Sequence, residues 1–205
     1  MSQCNIMITG VGGQGVLFVS EVLGETALRE GLDVRVAEIH GMAQRGGSVV
    51  SSVRIGQYIH SPTIIEGGAD LIVGLEPLEV LRLLKYAHSQ TLTVLNKVAI
   101  VPSSAHLQGI RYPSIDEILG ELSRVSKRTL TVDAAAIATR TGSQGTQNSV
   151  MLGFISATDM LPLSSGALKD NIARASPRYA TANLEGFDLG RKEYQNNRNQ
   201  FPPGL

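Results

Sequence analysis

Asn5-Ile-Met-Ile-Thr-Gly-Val-Gly-Gly-Gln-Gly-Val-Leu17 is the stretch on which the fold turns. A short apolar run meets a glycine turn at Gly10, and a helical pattern follows. Val16, Val19, Leu23 and Ala27 recur at steps of three or four, which places them on one face of a helix. Gly31 then stands where a left-handed helix cap belongs, and Asp33-Val-Arg-Val-Ala-Glu38 resumes as a strand. Strand, glycine turn, helix and strand make a βαβ unit, for which a right-handed parallel connection is the default.

Outward from this unit, His40-Gly-Met-Ala-Gln-Arg-Gly-Gly47 has no period and reads as a loop. Ser48 to Ile55 alternates as a strand, and after Gly56-Gln57 a second extended piece, Tyr58 to Ser61, ends at Pro62. The simplest reading is a hairpin inserted after the second strand. Parallel order returns with a buried strand at Asp70 to Leu75, and Pro77 opens a helix through Val80, Leu81, Leu84 and Tyr86. Further strands fall at Thr91 to Leu95 and Thr129 to Asp133. Ser114-Ile-Asp-Glu117 is a capping box that starts a helix through Ile118 and Leu122. An alanine-rich helix spans Ala134 to Thr141, Gly142 to Thr146 reads as a flexible polar link, and Asn148 to Thr158 as a buried helix. Short helices close the chain at Leu168 to Ala175 and Asn183 to Arg191. The expectation is one domain over residues 1–190, a doubly wound α/β fold. Its mostly parallel Rossmann-like sheet carries the inserted β-hairpin. A polar tail with little packing occupies residues 191–205.

Composition removes several functions. The 205 residues carry 18 basic and 18 acidic side chains, so no excess positive charge marks a nucleic-acid surface. No apolar run approaches the roughly 20 residues of a membrane span, and no basic leader precedes an apolar stretch; a cytoplasmic protein is expected. The one cysteine, Cys4, cannot form an intramolecular disulfide or hold an iron–sulfur cluster, which takes about four thiolates.

The glycine turn itself satisfies G-x-G-x-x-G through Gly10, Gly12 and Gly15, with Gly13 and Gln14 as additions. In such a turn glycine permits the sharp bend, lets a phosphate approach the backbone, and allows helix and strand to pack closely. Helix-start N–H groups then favour an anion. Taken alone, these residues with Glu38 suggest a nicotinamide or flavin nucleotide in an independent oxidoreductase domain. They fit equally well a purely structural close packing at the first crossover. Gln44, Arg45, Gly46 and Gly47 form the second unusual element, where flexible backbone beside a guanidinium can converge on a carboxylate or phosphate. The remaining candidates are weak. His40, His60, His88 and His106 have no metal-binding spacing. Ser103-Ser104 and Ser164-Ser165 lack a nucleophile elbow. Cys4 suits a small buried residue better than a nucleophile.

Five segments together are more specific than any one of them: Gly10 to Leu17, Gly41-Met-Ala-Gln-Arg-Gly-Gly-Ser-Val-Val50, Ser52-Val-Arg-Ile55, Ala69-Asp70 and Glu76-Pro77-Leu-Glu79. In this order they resemble the gamma subunit, or gamma-type domain, of the 2-oxoacid:ferredoxin oxidoreductases. Asn148-Ser-Val-Met-Leu-Gly153 and Asn183-Leu-Glu-Gly-Phe-Asp-Leu-Gly190 fit the same pattern. The Met-Ala-Gln-Arg-Gly-Gly version is most similar to the small beta subunit of indolepyruvate ferredoxin oxidoreductases. The resemblance implies oxidative decarboxylation of a 2-oxoacid, with coenzyme A as co-substrate and ferredoxin as electron acceptor. It also implies that thiamine diphosphate, Mg2+ and [4Fe-4S] clusters are held by a larger partner subunit. This chain lacks the Gly-Asp-Gly run of thiamine-binding subunits. The expected cofactor-binding residues are Gly10, Gly12, Gly13, Gln14, Gly15, Gln44, Arg45, Gly46 and Gly47. They would serve either an anionic group of coenzyme A or the contact between subunits. Isolated chains would have a patch through which to form a homodimer.

Overall fold

The computed structural model describes residues 3–40, 47–100, 111–126 and 128–198. Six strands form one sheet: β1 (Gln3–Val11), β2 (Asp33–His40), β3 (Ser48–Gly56), β4 (Leu71–Gly74), β5 (Leu92–Asn96) and β6 (Arg128–Val132). Seven α-helices flank them among the described residues: α1 (Val16–Arg29), α2 (Pro77–Leu81), α3 (Ile115–Ser123), α4 (Ala134–Thr139), α5 (Gln147–Ser156), α6 (Ser165–Ala175) and α7 (Ala180–Asn197). No helix among these residues is long and apolar enough to cross a membrane.

The strand order is β2-β3-β1-β4-β5-β6. β1, β4, β5 and β6 are parallel, whereas β3 runs antiparallel to both β1 and β2. The expected mostly parallel sheet is present, and the hairpin lies elsewhere in detail. β3 turns back from β2 and fills the place beside β1, so β1 and β2 share a direction without being neighbours. Tyr58 to Ser61 is not a strand. Its segment is held by side chains instead: Arg54 donates to the Ser61 and Thr63 carbonyls at 2.8 and 3.0 Å, and Ser52 to the Pro62 carbonyl at 3.0 Å.

Strand alternation divides the core between two faces. Ile6 and Ile8 of β1 join Leu71, Val73 and Val94 under the α1, α5 and α6 side. Met7 points the other way and packs with Ile72, Leu95, Val80, Ile118 and Leu122, the last three from α2 and α3. Each such side chain contributes about 1.5–3 kcal/mol when fully buried. The Ser114–Glu117 capping box is formed: the Glu117 N–H donates to Ser114 Oγ at 3.2 Å, and the Ser114 N–H to Glu117 Oε2 at 2.7 Å.

α5 is buried almost all round because α7 covers it. A Cβ on Gly190 would lie 2.0 Å from the Val150 carbonyl oxygen, and one on Gly153 only 1.9 Å from that of Phe187. The two helices therefore meet backbone to backbone, and Ser149 Oγ hydrogen-bonds Asn183 Oδ1 across them at 3.1 Å. α7 also corrects the expected boundary at residue 190. It continues to Asn197, burying Tyr194 edge-on against Phe154 with ring centroids 5.4 Å apart. The polar tail thus begins after a packed helical turn rather than at Arg191.

Candidate functional site

In an open α/β sheet, ligands bind beyond the carboxyl ends of the strands where the connections change direction. Here that point lies between β1, whose chain leaves through α1 toward β2, and β4, whose chain leaves toward β5. A crevice of about 300 Å3 occupies it. Gly13, Gln14 and Gly15 form one wall, Leu75 and Asn96 the floor, and Gln144, Gln147 and Asn148 the opposite side. On the other flank of the glycine turn, a more open hollow is lined by Gly12, Gly13, Leu17 and Val49.

The glycines divide the work differently from the simple fingerprint. Gly10 is a packing position: a Cβ there would stand 2.7 Å from Gln14 Oε1 and 3.1 Å from Val16 Cγ2. The bend falls on Gly13, with φ +101° and open space where a side chain would stand. Gly15 is the α1 N-cap in left-handed conformation (φ 80°, ψ 33°), and a Cβ on it would strike Asn148 Nδ2. No side chain caps α1. Among the described residues no side chain takes up the amides of its first turn, where the helix dipole favours an anion.

Gln14 holds this turn. Its Oε1 accepts the Val11 N–H at 2.8 Å, and its Nε2 donates to the Leu75 carbonyl at 3.0 Å. Its own carbonyl accepts Asn148 Nδ2 at 2.9 Å. Asn96 Nδ2 also donates to the Leu75 carbonyl, at 3.3 Å, while Asn96 Oδ1 accepts the Ala134 N–H at 3.2 Å. The ends of β1, β4 and β5 and the starts of α4 and α5 are thereby tied into one neutral amide network. The Gly12 N–H donates to the Gly47 carbonyl at 2.8 Å, so the second glycine element ends against the first. Gln44, Arg45 and Gly46 lie outside the described residues, as do Ser103, Ser104 and His106.

Sequence reasoning missed Asn96, Gln144 and Gln147 as crevice residues. The segment read as a flexible link, Gly142 to Thr146, ends in a short 3-10 helix, with Thr146 buried 3.1 Å from the Cβ that Gly186 lacks. Asn148 stood in a quoted motif, and its donation to Gln14 supplies the reason. Glu38 sits on β2, beyond β3. A ribose-binding acid belongs on the strand beside the glycine turn; the inserted strand moves this one about 4.8 Å further away. The geometry therefore disfavours the dinucleotide reading.

Among the described residues, none that lines the crevice carries an acid, a base or a nucleophile. Among the described residues, no three His, Cys, Asp or Glu side chains are grouped to hold a metal ion. Cys4 is buried at the opposite end of β1, and burial pushes its thiol up to about 12. Ser164 serves as the α6 N-cap, accepting the Ala167 N–H at 3.2 Å. What remains is a binding crevice built of glycine backbone, carboxamides and the apolar side chains of Leu75, Ile100 and Met151.

Residues 5–193 match the family model described as pyruvate ferredoxin/flavodoxin oxidoreductase. The chain is similar to indolepyruvate oxidoreductase subunit IorB of Archaeoglobus fulgidus, 41% identical over 91% of this chain and 92% of that one. In fold it is similar to pyruvate oxidoreductase subunit PORC of Thermotoga maritima (TM-score 0.67, 20% identity, 94% of this chain and 97% of that one). It also matches 2-oxoglutarate:ferredoxin oxidoreductase of Magnetococcus marinus, solved with 2-oxoglutarate, coenzyme A and succinyl-CoA bound. There the TM-score is 0.74 at 18% identity, covering 96% of this chain and 32% of that one.

Proposed function

The chain belongs to the pyruvate ferredoxin/flavodoxin oxidoreductase family, and from that premise we propose its part in the reaction. It is the small subunit of a 2-oxoacid:ferredoxin oxidoreductase whose substrate is indolepyruvate or another arylpyruvate. The relative named for indolepyruvate, similar over nearly its whole length, supports that substrate class. The complex converts a 2-oxoacid and coenzyme A into acyl-CoA, carbon dioxide and a proton, and passes two electrons to ferredoxin. Thiamine diphosphate, Mg2+ and [4Fe-4S] clusters belong to a larger partner subunit. The described residues do not fit them, since they offer neither a metal-binding group nor a second thiolate.

This chain's own contribution is to bind and orient coenzyme A. One observation carries that reading: among the described residues, the switch-point crevice is lined by the glycine turn that leads into the uncapped start of α1 and by neutral carboxamides, with no acid, base or nucleophile in the lining itself. Such a surface accepts phosphate oxygens without altering a proton. Gly12, Gly13 and Gly15 supply close-approach backbone, Gln14 fixes its shape, and Gln44, Arg45, Gly46 and Gly47 complete the anion site. Gly10 acts indirectly, by giving Gln14 room.

Steady-state kinetics of the assembled complex with Arg45→Ala test the assignment. A KM for coenzyme A raised by about tenfold, with assembly unchanged, is expected for loss of one charge-assisted contact. Weakened assembly at unchanged KM would assign the loop to the subunit contact instead. Unchanged KM and unchanged assembly would remove Arg45 from the site altogether.

A further inference from the structure

Glu76 is 1% exposed and receives three hydrogen bonds on its two oxygens. Oε2 caps α2 by accepting the Glu79 N–H at 3.0 Å. Oε1 reaches beyond the helix, where it accepts the Ile100 N–H at 3.3 Å and the Tyr112 hydroxyl. Tyr112 is itself fixed, because its oxygen accepts the Leu78 N–H at 3.2 Å and its ring packs against the α2–α3 side of the core. Burial, then the hydrogen bond and charge of Glu76, push the Tyr112 phenol upward, so it stays a donor. Ile100 lines the crevice beside Leu75 and Asn96.

A cap for α2 alone needs only a short side chain, since Ser, Asp or Asn serves well at an N-cap. Burying a carboxylate there is costly unless other donors compensate it. The longer Glu side chain has its physical reason in Oε1, which joins residues before and after the 101–110 stretch to the end of β4. We propose that Glu76 is a positioning residue of the crevice, holding Ile100 in its wall, and that Tyr112 locks Glu76 in that pose. Its consequence for coenzyme A rests on the reading of the crevice given above.

The test uses the assembled complex carrying Glu76→Asp or Tyr112→Phe. Aspartate keeps the α2 cap and loses the reach; phenylalanine keeps the ring and loses the hydroxyl. Amide hydrogen exchange over residues 97–100 in the complex without coenzyme A should rise by about tenfold in both, as one hydrogen-bonded restraint is lost. The KM for coenzyme A should rise several-fold, with kcat at saturation within about twofold, as for loss of binding made equally in ground and transition states. Exchange equal to the parent in both variants would overturn the proposal, since a cap-only role predicts that Glu76→Asp is silent. Raised exchange with unchanged KM would uphold the positioning role and count against the crevice as the coenzyme A site.

Discussion

Glycine does opposite jobs in the turn before α1 and in the contact between α5 and α7. In the turn, Gly13 has φ +101° and nothing within 4 Å of the position its side chain would take. In the helix contact, Gly153 and, opposite Val150, Gly190 have ordinary helical backbone and a carbonyl oxygen within about 2 Å of the missing Cβ. The first glycine buys direction and leaves a space; the other two remove a space so that helices touch. Conformation matters in the turn and distance between the helices, so substitutions in the two regions should fail in different assays.

The largest effect is expected between the helices. Gly190→Ala or Gly153→Ala forces α5 and α7 apart along a contact that also seats Phe154, Phe187 and Tyr194. Overpacking against backbone, which cannot swing aside, should cost about 3 kcal/mol. For a domain of this size that lowers Tm by roughly 6–12 °C. Thermal unfolding of the isolated chain measures it, and a drop below about 2 °C would mean that the helices do not make the backbone contact described.

Part of this comparison was legible in the sequence and part was not. The strand–turn–helix order around Gly10 to Gly15 follows from local pattern, as does the Ser114 capping box, because each is settled within a few residues. Where β3 sits is not local. Alternation marks Ser48 to Ile55 as half-buried, but only the tertiary fold places it beside β1 rather than against Tyr58 to Ser61. The Arg54 and Ser52 side chains that hold that segment carry no period. Tyr194 shows the same limit: one aromatic in a polar run gives no helical stripe, yet Phe154 provides its burial. For the crevice, the glycines announced a turn; Asn96 and Gln144, scattered carboxamides, became neighbours only through the fold.

Gln14→Ala should come next, affecting both assays. It removes the acceptor of the Val11 N–H and one donor to the Leu75 carbonyl. The expected loss is about 2 kcal/mol of stability, together with a raised KM for coenzyme A in the complex. Gln14→Glu sharpens the point, since it keeps the acceptor but turns a carboxylate oxygen toward the Leu75 carbonyl and adds negative charge beside the crevice. It should raise KM more than alanine does; a lower KM than in Gln14→Ala would contradict an anion-binding crevice.

Cys4 supplies a probe remote from both regions. Its folded thiol is raised to about 12 from 9.0 by burial first and by the Asp70 charge second. A raised pKa favours the protonated thiol in the folded state, so its stabilising contribution is complete below the unfolded value. That contribution is lost as pH climbs from about 9 toward about 12, at up to roughly 1.4 kcal/mol per unit. Unfolding titrations should show this slope, and Cys4→Ala should reduce it. At pH 8 the native thiol should react with an aromatic disulfide reagent only through opening of the fold. Gly190→Ala should therefore speed the reaction, and crevice variants should leave it nearly unchanged.

Gly13→Ala is expected to give the smallest change in stability. The left-handed backbone costs a side chain about 1 kcal/mol, and no atom of the described residues stands where the methyl group goes. Tm should fall by only about 2–4 °C, with Cys4 as protected as in the parent. The same methyl group projects into the space at the helix start, where a phosphate would approach the backbone. In the assembled complex, KM for coenzyme A should accordingly rise by about tenfold or more, as a close backbone contact is blocked. A variant that melts like the parent and also uses coenzyme A like the parent would leave Gly13 with conformation as its whole purpose. The two glycine regions would then differ in geometry without differing in function, and the anion would have to be sought away from this turn.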